Sequence, residues 1–361
     1  MTDVYDESTV TNYEYGDYTG DYKIHTTKPD PGSHSENGIT VLAAVIYSIT
    51  FLLGTSGNAL VIWVAGFKMQ RSVNSVWFLA LATTDFLFSL FLPFYIVYIL
   101  SDFNWIFGRP MCKINSTFLF LNMFSSVFLL TMISIDRCIS VVFPVWSQNY
   151  RKPKIAYFVC VGAVILAFFL SLPSAVFRDT VTNHNNKTTC YNNFLLPDKT
   201  ELTHPNKGIV IASRHQVVVF IRFIFGFLLP LMIIVVCYSI IALKIAKNRL
   251  AKSRKPFRVI ITIILTFFIC WVPYHMFNIF EIWHGHFSTK TLKMALPIST
   301  AIATANSFMN PILYVFMGQS FKKTLVSRLE NAFTEDTAHS RLSSRRISKF
   351  SSDVEKETIK L

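Results

Sequence analysis

Asp85 stands in the apolar stretch Leu81-Ala82-Thr83-Thr84-Asp85-Phe86, and two further apolar stretches carry polar groups at four-residue steps. One holds Asn122 and Ser126, the other Asn306, Asn310 and Tyr314. A four-residue step returns to the same helix face, so these groups can converge. Polar groups are costly in a membrane helix and tend to be functional. A carboxylate among neutral oxygens suits two chemistries: it can hold a small cation such as Na⁺ through Asp85, Asn122, Ser126, Asn306 and Asn310, or anchor a hydrogen-bond network around a protonated or hydrated acid.

A second constellation pairs charge with bent helices. Asp136-Arg137-Cys138 closes the stretch that contains Asn122, and Arg137 follows Ser126 by eleven residues. Three helical turns put both on one face, so Arg137 points inward, although an interfacial ion pair with Asp136 is the plainer reading. No acid occurs between Lys244 and Arg258 to pair with it. Trp271 lies two residues before Pro273, Tyr238 eight after Pro230, and Pro311 between Asn310 and Tyr314. Proline inside a helix removes one hydrogen bond and bends it. Three bent helices leading toward Arg137 or a Tyr suit a bundle with two packings. Arg222 sits two turns before Pro230 and needs a partner, either Glu281 or the carboxylate of a ligand.

The elements that carry these residues are membrane spans. The 361-residue chain is 52% hydrophobic and only 15% charged, against about a quarter charged in soluble domains. Seven segments are long and apolar enough to cross a bilayer: Ile39–Phe67, Val73–Leu100, Met111–Val142, Ala156–Val176, Val217–Leu243, Val259–Trp283 and Met294–Met317. The fold class is therefore an all-α seven-helix membrane bundle over 39–317, in one plasma-membrane domain. Residues 1–38 form an acidic, Tyr-rich tail with the composition of a disordered segment and no signal peptide, so span one acts as its own uncleaved signal. Residues 318–333 alternate basic and apolar groups like an amphipathic helix on a membrane surface, and 334–361 form a Ser/Thr-rich tail.

Loop charge sets the orientation. Lys68 and Arg71, then Arg151, Lys152 and Lys154, then the seven basic residues from Lys244 to Arg258, then Lys322, Lys323 and Arg328 mark cytoplasmic regions. The net charge of +13 is thus a topology signal, and nucleic-acid binding is not indicated. Of six cysteines only Cys112 and Cys190 fall on the outer, oxidising side, so a disulfide between them is expected. The outer loop Arg178–His215 carries the sequon at Asn186; a second sequon at Asn115 lies within a span and is unused.

Gly57-Asn58-Ala59-Leu60-Val61, Leu81-Ala82-Thr83-Thr84-Asp85, Asp136-Arg137-Cys138, Cys270-Trp271-Val272-Pro273 and Asn310-Pro311-Ile312-Leu313-Tyr314 resemble the signatures of rhodopsin-like G-protein-coupled receptors. The cysteine after Asp136-Arg137 resembles the chemoattractant branch. The resemblance implies a receptor, not an enzyme, with Asp136, Arg137, Tyr238, Trp271, Pro273, Asn310, Pro311 and Tyr314 in activation. It implies an extracellular, chemerin-like protein ligand whose C-terminal peptide enters the bundle, or else a related chemoattractant peptide or lipid. Arg222, Arg178, Glu281, Trp271, Tyr274 and Asn122 are the candidate contacts. Inside, it implies Gi-type G proteins, and arrestin on a tail phosphorylated at Ser340, Ser343, Ser344, Ser348, Ser351 and Ser352. No cofactor is required, and an allosteric Na⁺ is one of the two readings of the Asp85 cluster given above. Val164 replaces a tryptophan typical of span four, and no cysteine follows Cys270 to anchor the amphipathic segment. A channel or transporter is disfavoured by the lack of internal repeats. A retinal receptor is excluded because Met294–Met317 contains no lysine.

Overall fold

The computed structural model describes residues 32–183, 186–195, 207–248, 255–282 and 289–317. Span one is α1 (Gly32–Trp63) with a π-helical turn, Val64–Lys68. Span two is α2 (Val73–Ser89) and α3 (Leu92–Leu100), and span three is α4 (Gly108–Val142). A short helix α5 (Pro144–Tyr150) leads to span four, α6 (Pro153–Phe177). Strands β1 (Arg178–Thr182) and β2 (Thr188–Asn192) form an antiparallel hairpin. Span five is α7 (Lys207–Phe223), a π turn (Ile224–Leu228) and α8 (Leu229–Asn248); spans six and seven are α9 (Lys255–Ile282) and α10 (Thr289–Met317).

Local chemistry explains the breaks. Ser72 and Ser75 close a capping box at the start of α2, which satisfies two N–H groups a helix start leaves unpaired. Pro93, Pro144 and Pro153 fall in the first turns of α3, α5 and α6, where a missing N–H costs nothing. Pro93 also ends the regular helix of span two, a bend not anticipated above.

Six of these spans, all but α10, are long and apolar enough to cross a bilayer among the described residues. Large apolar side chains such as Leu52, Phe158, Phe169, Leu243 and Ile269 face outward, while Asn58, Asp85, Asn122, Ser126 and Asn310 are buried. That is inside-out relative to a soluble protein and is the pattern lipid solvation demands. α4 is the axis: 78% of its central stretch is buried, against 28% for span one. It packs on α2, α6 and α8, and α10 packs on α1 and α9. The approach of span one to span seven depends on glycine, since a Cβ on Gly57 would lie 3.0 Å from Pro311.

Two boundaries differ from the sequence reading. Span one begins at Gly32, within the expected tail, and span five at Lys207, not Val217. Helix extends past the hydrocarbon-length block in both cases, because hydropathy marks where lipid is, not where helix ends. The expected loop Arg178–His215 is correspondingly shortened and begins with the hairpin. The calls on 1–31, on the 318–333 helix and on the serines of 334–361 lie outside the described residues.

Candidate functional site

Three groups of these residues lie along the bundle: a set beneath the hairpin at the disulfide end, a polar cluster near mid-bundle, and a charge network at the Arg137 end.

At the first end the Cys112–Cys190 disulfide forms as expected, with Cα atoms 5.8 Å apart. It ties the start of α4 to β2, where Cys190 faces Thr180 across the hairpin. Trp105 buries beneath, donating its backbone N–H to the Thr188 carbonyl at 2.6 Å and its indole N–H to that of Gly108 at 2.8 Å. Lys113 donates to the carbonyls of Ala175 and Val176, capping the last turn of α6 with a cation. Asp179 pairs with Arg109 at 2.7 Å. Partial burial alone would raise its pKa, but the Thr180 amide, Asn193 and Arg109 outweigh burial and hold the carboxyl below its ordinary value. The stabilisation from Asp179 is therefore present above the ordinary carboxylate range and fades as pH falls through the lowered value. Asn186 is exposed on the loop between β1 and β2, with φ +58°, while Asn115 is buried.

Beneath the hairpin Arg222 is buried, donates to the Ser174 hydroxyl at 3.0 Å and lies 3.5 Å from the centroid of the Phe120 ring. Arg178 donates weakly to the Cys190 carbonyl, and its buried Nε has no hydrogen-bond partner. Glu281, the internal counter-ion considered for Arg222, lies 3.9 Å from His215. Tyr274 and Trp271 stack edge to face at 5.5 Å, and His275 packs with Trp271, Tyr274, Phe223 and Phe227. His275 was not singled out by sequence, because a lone histidine on an apolar face carries no pattern.

In the middle, Asp85 receives the side-chain amides of Asn122 at 2.7 Å and Asn310 at 2.8 Å. Spans two, three and seven thus meet at one carboxylate. Asn122 is joined to this cluster, and Ser307 donates to its carbonyl oxygen at 3.3 Å. Asn306 is buried but its side chain finds no partner, and the Ser126 hydroxyl and Asn310 carbonyl oxygen are likewise unpartnered. Ser307 rather than Asn306 meets the network, which the four-residue spacing did not indicate. Pro311 cannot bond back to the residue four before it, and that residue is Ser307. Its freed carbonyl accepts the Asn58 side chain from span one at 2.8 Å. One proline therefore turns a backbone group into a tie between helices.

At the other end Asp136 is held by Arg151, with Nε 2.7 Å from one oxygen and Nη2 2.8 Å from the other. Arg137 is 3.6 Å from the same carboxylate and donates to the Asn74 side chain. The Tyr238 hydroxyl is buried without a partner. Tyr314 lies in α10, its side chain outside the described residues. Arg151 and Asn74 went unnoticed in the sequence because tertiary packing alone brings them to Asp136.

The bundle joins an apolar exterior to a central polar core and an arginine at its far end, and the chain belongs to the rhodopsin family of seven-transmembrane receptors. Residues 57–314 match the family described as 7 transmembrane receptor (rhodopsin family), a family of receptors and not of enzymes. The chain is 52% identical over 342 residues to Chemerin-like receptor 1 of Homo sapiens, covering 93% of this chain and 91% of that one. The protein of the same name from Rattus norvegicus is 50% identical over 362 residues, covering 98% and 96%. The C3a anaphylatoxin chemotactic receptor of Oncorhynchus mykiss is 40% identical over 334 residues, covering 90% and 88%.

Proposed function

We propose that this chain is a plasma-membrane receptor for chemerin or a chemerin-like chemoattractant protein. Its N-terminus is outside, its C-terminus is cytoplasmic, and it signals through Gi-type G proteins and arrestin. The names of the chemerin-like relatives support the ligand class. The observation that carries the reading is Arg222: a buried guanidinium that donates to the neutral Ser174 hydroxyl, lies over the Phe120 ring, has Tyr274 beside it and feels the charge of Glu281. A buried cation favours an anionic partner, and a peptide C-terminus supplies one. The ligand's C-terminal peptide enters at the hairpin end, meets Arg222 with Arg178 nearby, and bears on Tyr274 and Trp271 above the Pro273 bend. Glu281 offers a site for a basic group. Repacking about Pro273, Pro230 and Pro311 opens the Arg137 end to the cytosolic partner.

The test is nucleotide exchange on a Gi-type heterotrimer by the purified chain in lipid nanodiscs, with a parallel cyclic-AMP assay in cells. Chemerin and its C-terminal peptide should accelerate exchange and lower cyclic AMP. Acceleration by a formyl peptide, C3a or a lipid instead would replace the ligand while leaving the receptor class standing.

The Asp85 cluster fits Na⁺ as the allosteric ion. Hard cations take oxygen ligands, and the unpartnered oxygens of Ser126 and Asn310 are buried beside one carboxylate. Asp85, Ser126, Asn122 and Asn310 would hold the ion, neutralising the acid and favouring the resting packing. Raising NaCl at constant ionic strength, with N-methylglucamine as replacement, should weaken agonist binding about threefold to tenfold, within the usual range of allosteric coupling. Asp85→Asn should abolish that dependence, and sodium-independent binding by the unsubstituted chain would remove the ion.

A further inference from the structure

Asp136 has two arginines within reach and its geometry chooses between them. Arg151 makes the bidentate, two-bond contact at 2.7 and 2.8 Å, the strongest arrangement open to a guanidinium and a carboxylate. Arg137, its neighbour in sequence, stands off at 3.6 Å, too far for a direct hydrogen bond. The Arg137 Nε is buried with no partner. Both arginines converge on the Asn74 side-chain oxygen, Arg151 from 2.8 Å. Arg151 is itself fixed, since it caps α5 with its backbone N–H on the Ser147 carbonyl at 3.1 Å. The Ser147 hydroxyl meets that of Ser140 on α4 at 3.2 Å. The Asp136–Arg151 contact is partly sheltered, the two side chains being 13% and 25% exposed, so water screens it less than a surface pair.

We infer that Arg151 is a positioning residue for G-protein coupling: it occupies Asp136 and thereby leaves Arg137 only loosely held by that carboxylate, for the cytosolic partner to engage. The inference rests on the coupling role proposed above and deepens it. Two adjacent opposite charges in one span would otherwise satisfy each other, and Arg137 would have to break that contact before a G protein could use it. With Arg151 taking the two close contacts, the Asp136–Arg137 pair is left at 3.6 Å and that cost is lowered in advance, and the same side chain fastens the end of α5 to spans two and three. In the Arg151→Gln variant the Asp136 carboxylate closes on Arg137.

The test is basal and agonist-driven nucleotide exchange on a Gi-type heterotrimer in nanodiscs, for the full chain and for R151Q, R151K, D136N and D136N/R151Q, each normalised to correctly folded receptor by ligand binding without G protein. R151Q should lower exchange about fivefold, a coupling of the size expected between contacting charges. R151K should fall between, since a lysine keeps the charge but not the fork. In the D136N background R151Q should change exchange less than about 1.5-fold, because no carboxylate remains to capture Arg137. Unchanged or raised exchange in R151Q would overturn the inference, as would an equal loss in both backgrounds, which would make Arg151 a mere fastener of the loop. If the unsubstituted chain stimulates no heterotrimer, the coupling reading itself fails and this inference falls with it. An active unsubstituted chain with additive variants removes Arg151 alone.

Discussion

Arg222→Ala weakens a free-acid agonist peptide about 100-fold while weakening the C-terminal amide of that peptide no more than about threefold, in radioligand displacement on intact cells. The asymmetry follows from where Arg222 sits. Its guanidinium lies 3.5 Å from the centre of the Phe120 ring and donates to the Ser174 hydroxyl at 3.0 Å, with Tyr274 also in reach. A guanidinium has five N–H donors in a fixed fork, so donor capacity remains for two carboxylate oxygens. Burial has already removed water from the cation, and that desolvation is settled by the fold before ligand arrives. A carboxylate entering such a site meets a preorganised partner, and loss of one member of a buried charged pair costs about 2–5 kcal/mol. The amide brings no charge, so it loses only packing. Arg222→Lys should recover part of the free-acid preference, since a point charge cannot reproduce the fork. An equal loss for acid and amide would mean that Arg222 supports the span-four contact at Ser174 and not the ligand.

Sequence revealed the fold and the chemistry of each site more readily than the pairings within it. Seven apolar blocks announce seven spans because the bilayer imposes a length and forbids unpaired backbone. The disulfide followed from compartment alone. Asp85, Asn122 and Asn310 share faces that helical arithmetic brings together, and they meet. Arithmetic then failed at Asn306, whose side chain finds no partner, while the Ser307 hydroxyl bonds to Asn122 and the Ser307 carbonyl, freed by Pro311, accepts from Asn58. The π turns at Val64–Lys68 and Ile224–Leu228 were also invisible, because a helix of slightly wider pitch has no composition of its own. The hairpin was also hidden, its strands neither alternating nor apolar but half-buried, with only Thr182 exposed. Arg151 counted only as one positive charge among several. Its role depends on α5 folding back across α4, and nothing local in the chain records that.

Breaking the disulfide has the second large effect. Cys112→Ser, Cys190→Ser and the double variant should all lose high-affinity peptide binding and share one lowered melting midpoint, about 10 °C below that of the intact chain in detergent. The bond spans 78 residues, and closing a loop of that length removes about 4–5 kcal/mol of chain entropy from the unfolded state. Local consequences follow as well. A two-stranded hairpin is marginal by itself, and without the bond β1 and β2 rest on polar contacts: Thr188 with Trp105 and Asn104, Lys187 with Asp102, and Asp179 with Asn193 and Arg109. Arg109 is more than half exposed, and a pair of that kind contributes little. Arg178, at the start of β1, donates to the carbonyl of Cys190 itself, so loosening the strand releases one of the two arginines assigned to the ligand carboxylate. Single and double variants should therefore match one another, and a free-acid peptide should lose more affinity than its amide. A double variant that melted and bound like the intact chain would show that the hairpin is held by its side-chain contacts, with Arg178 kept in place without the disulfide.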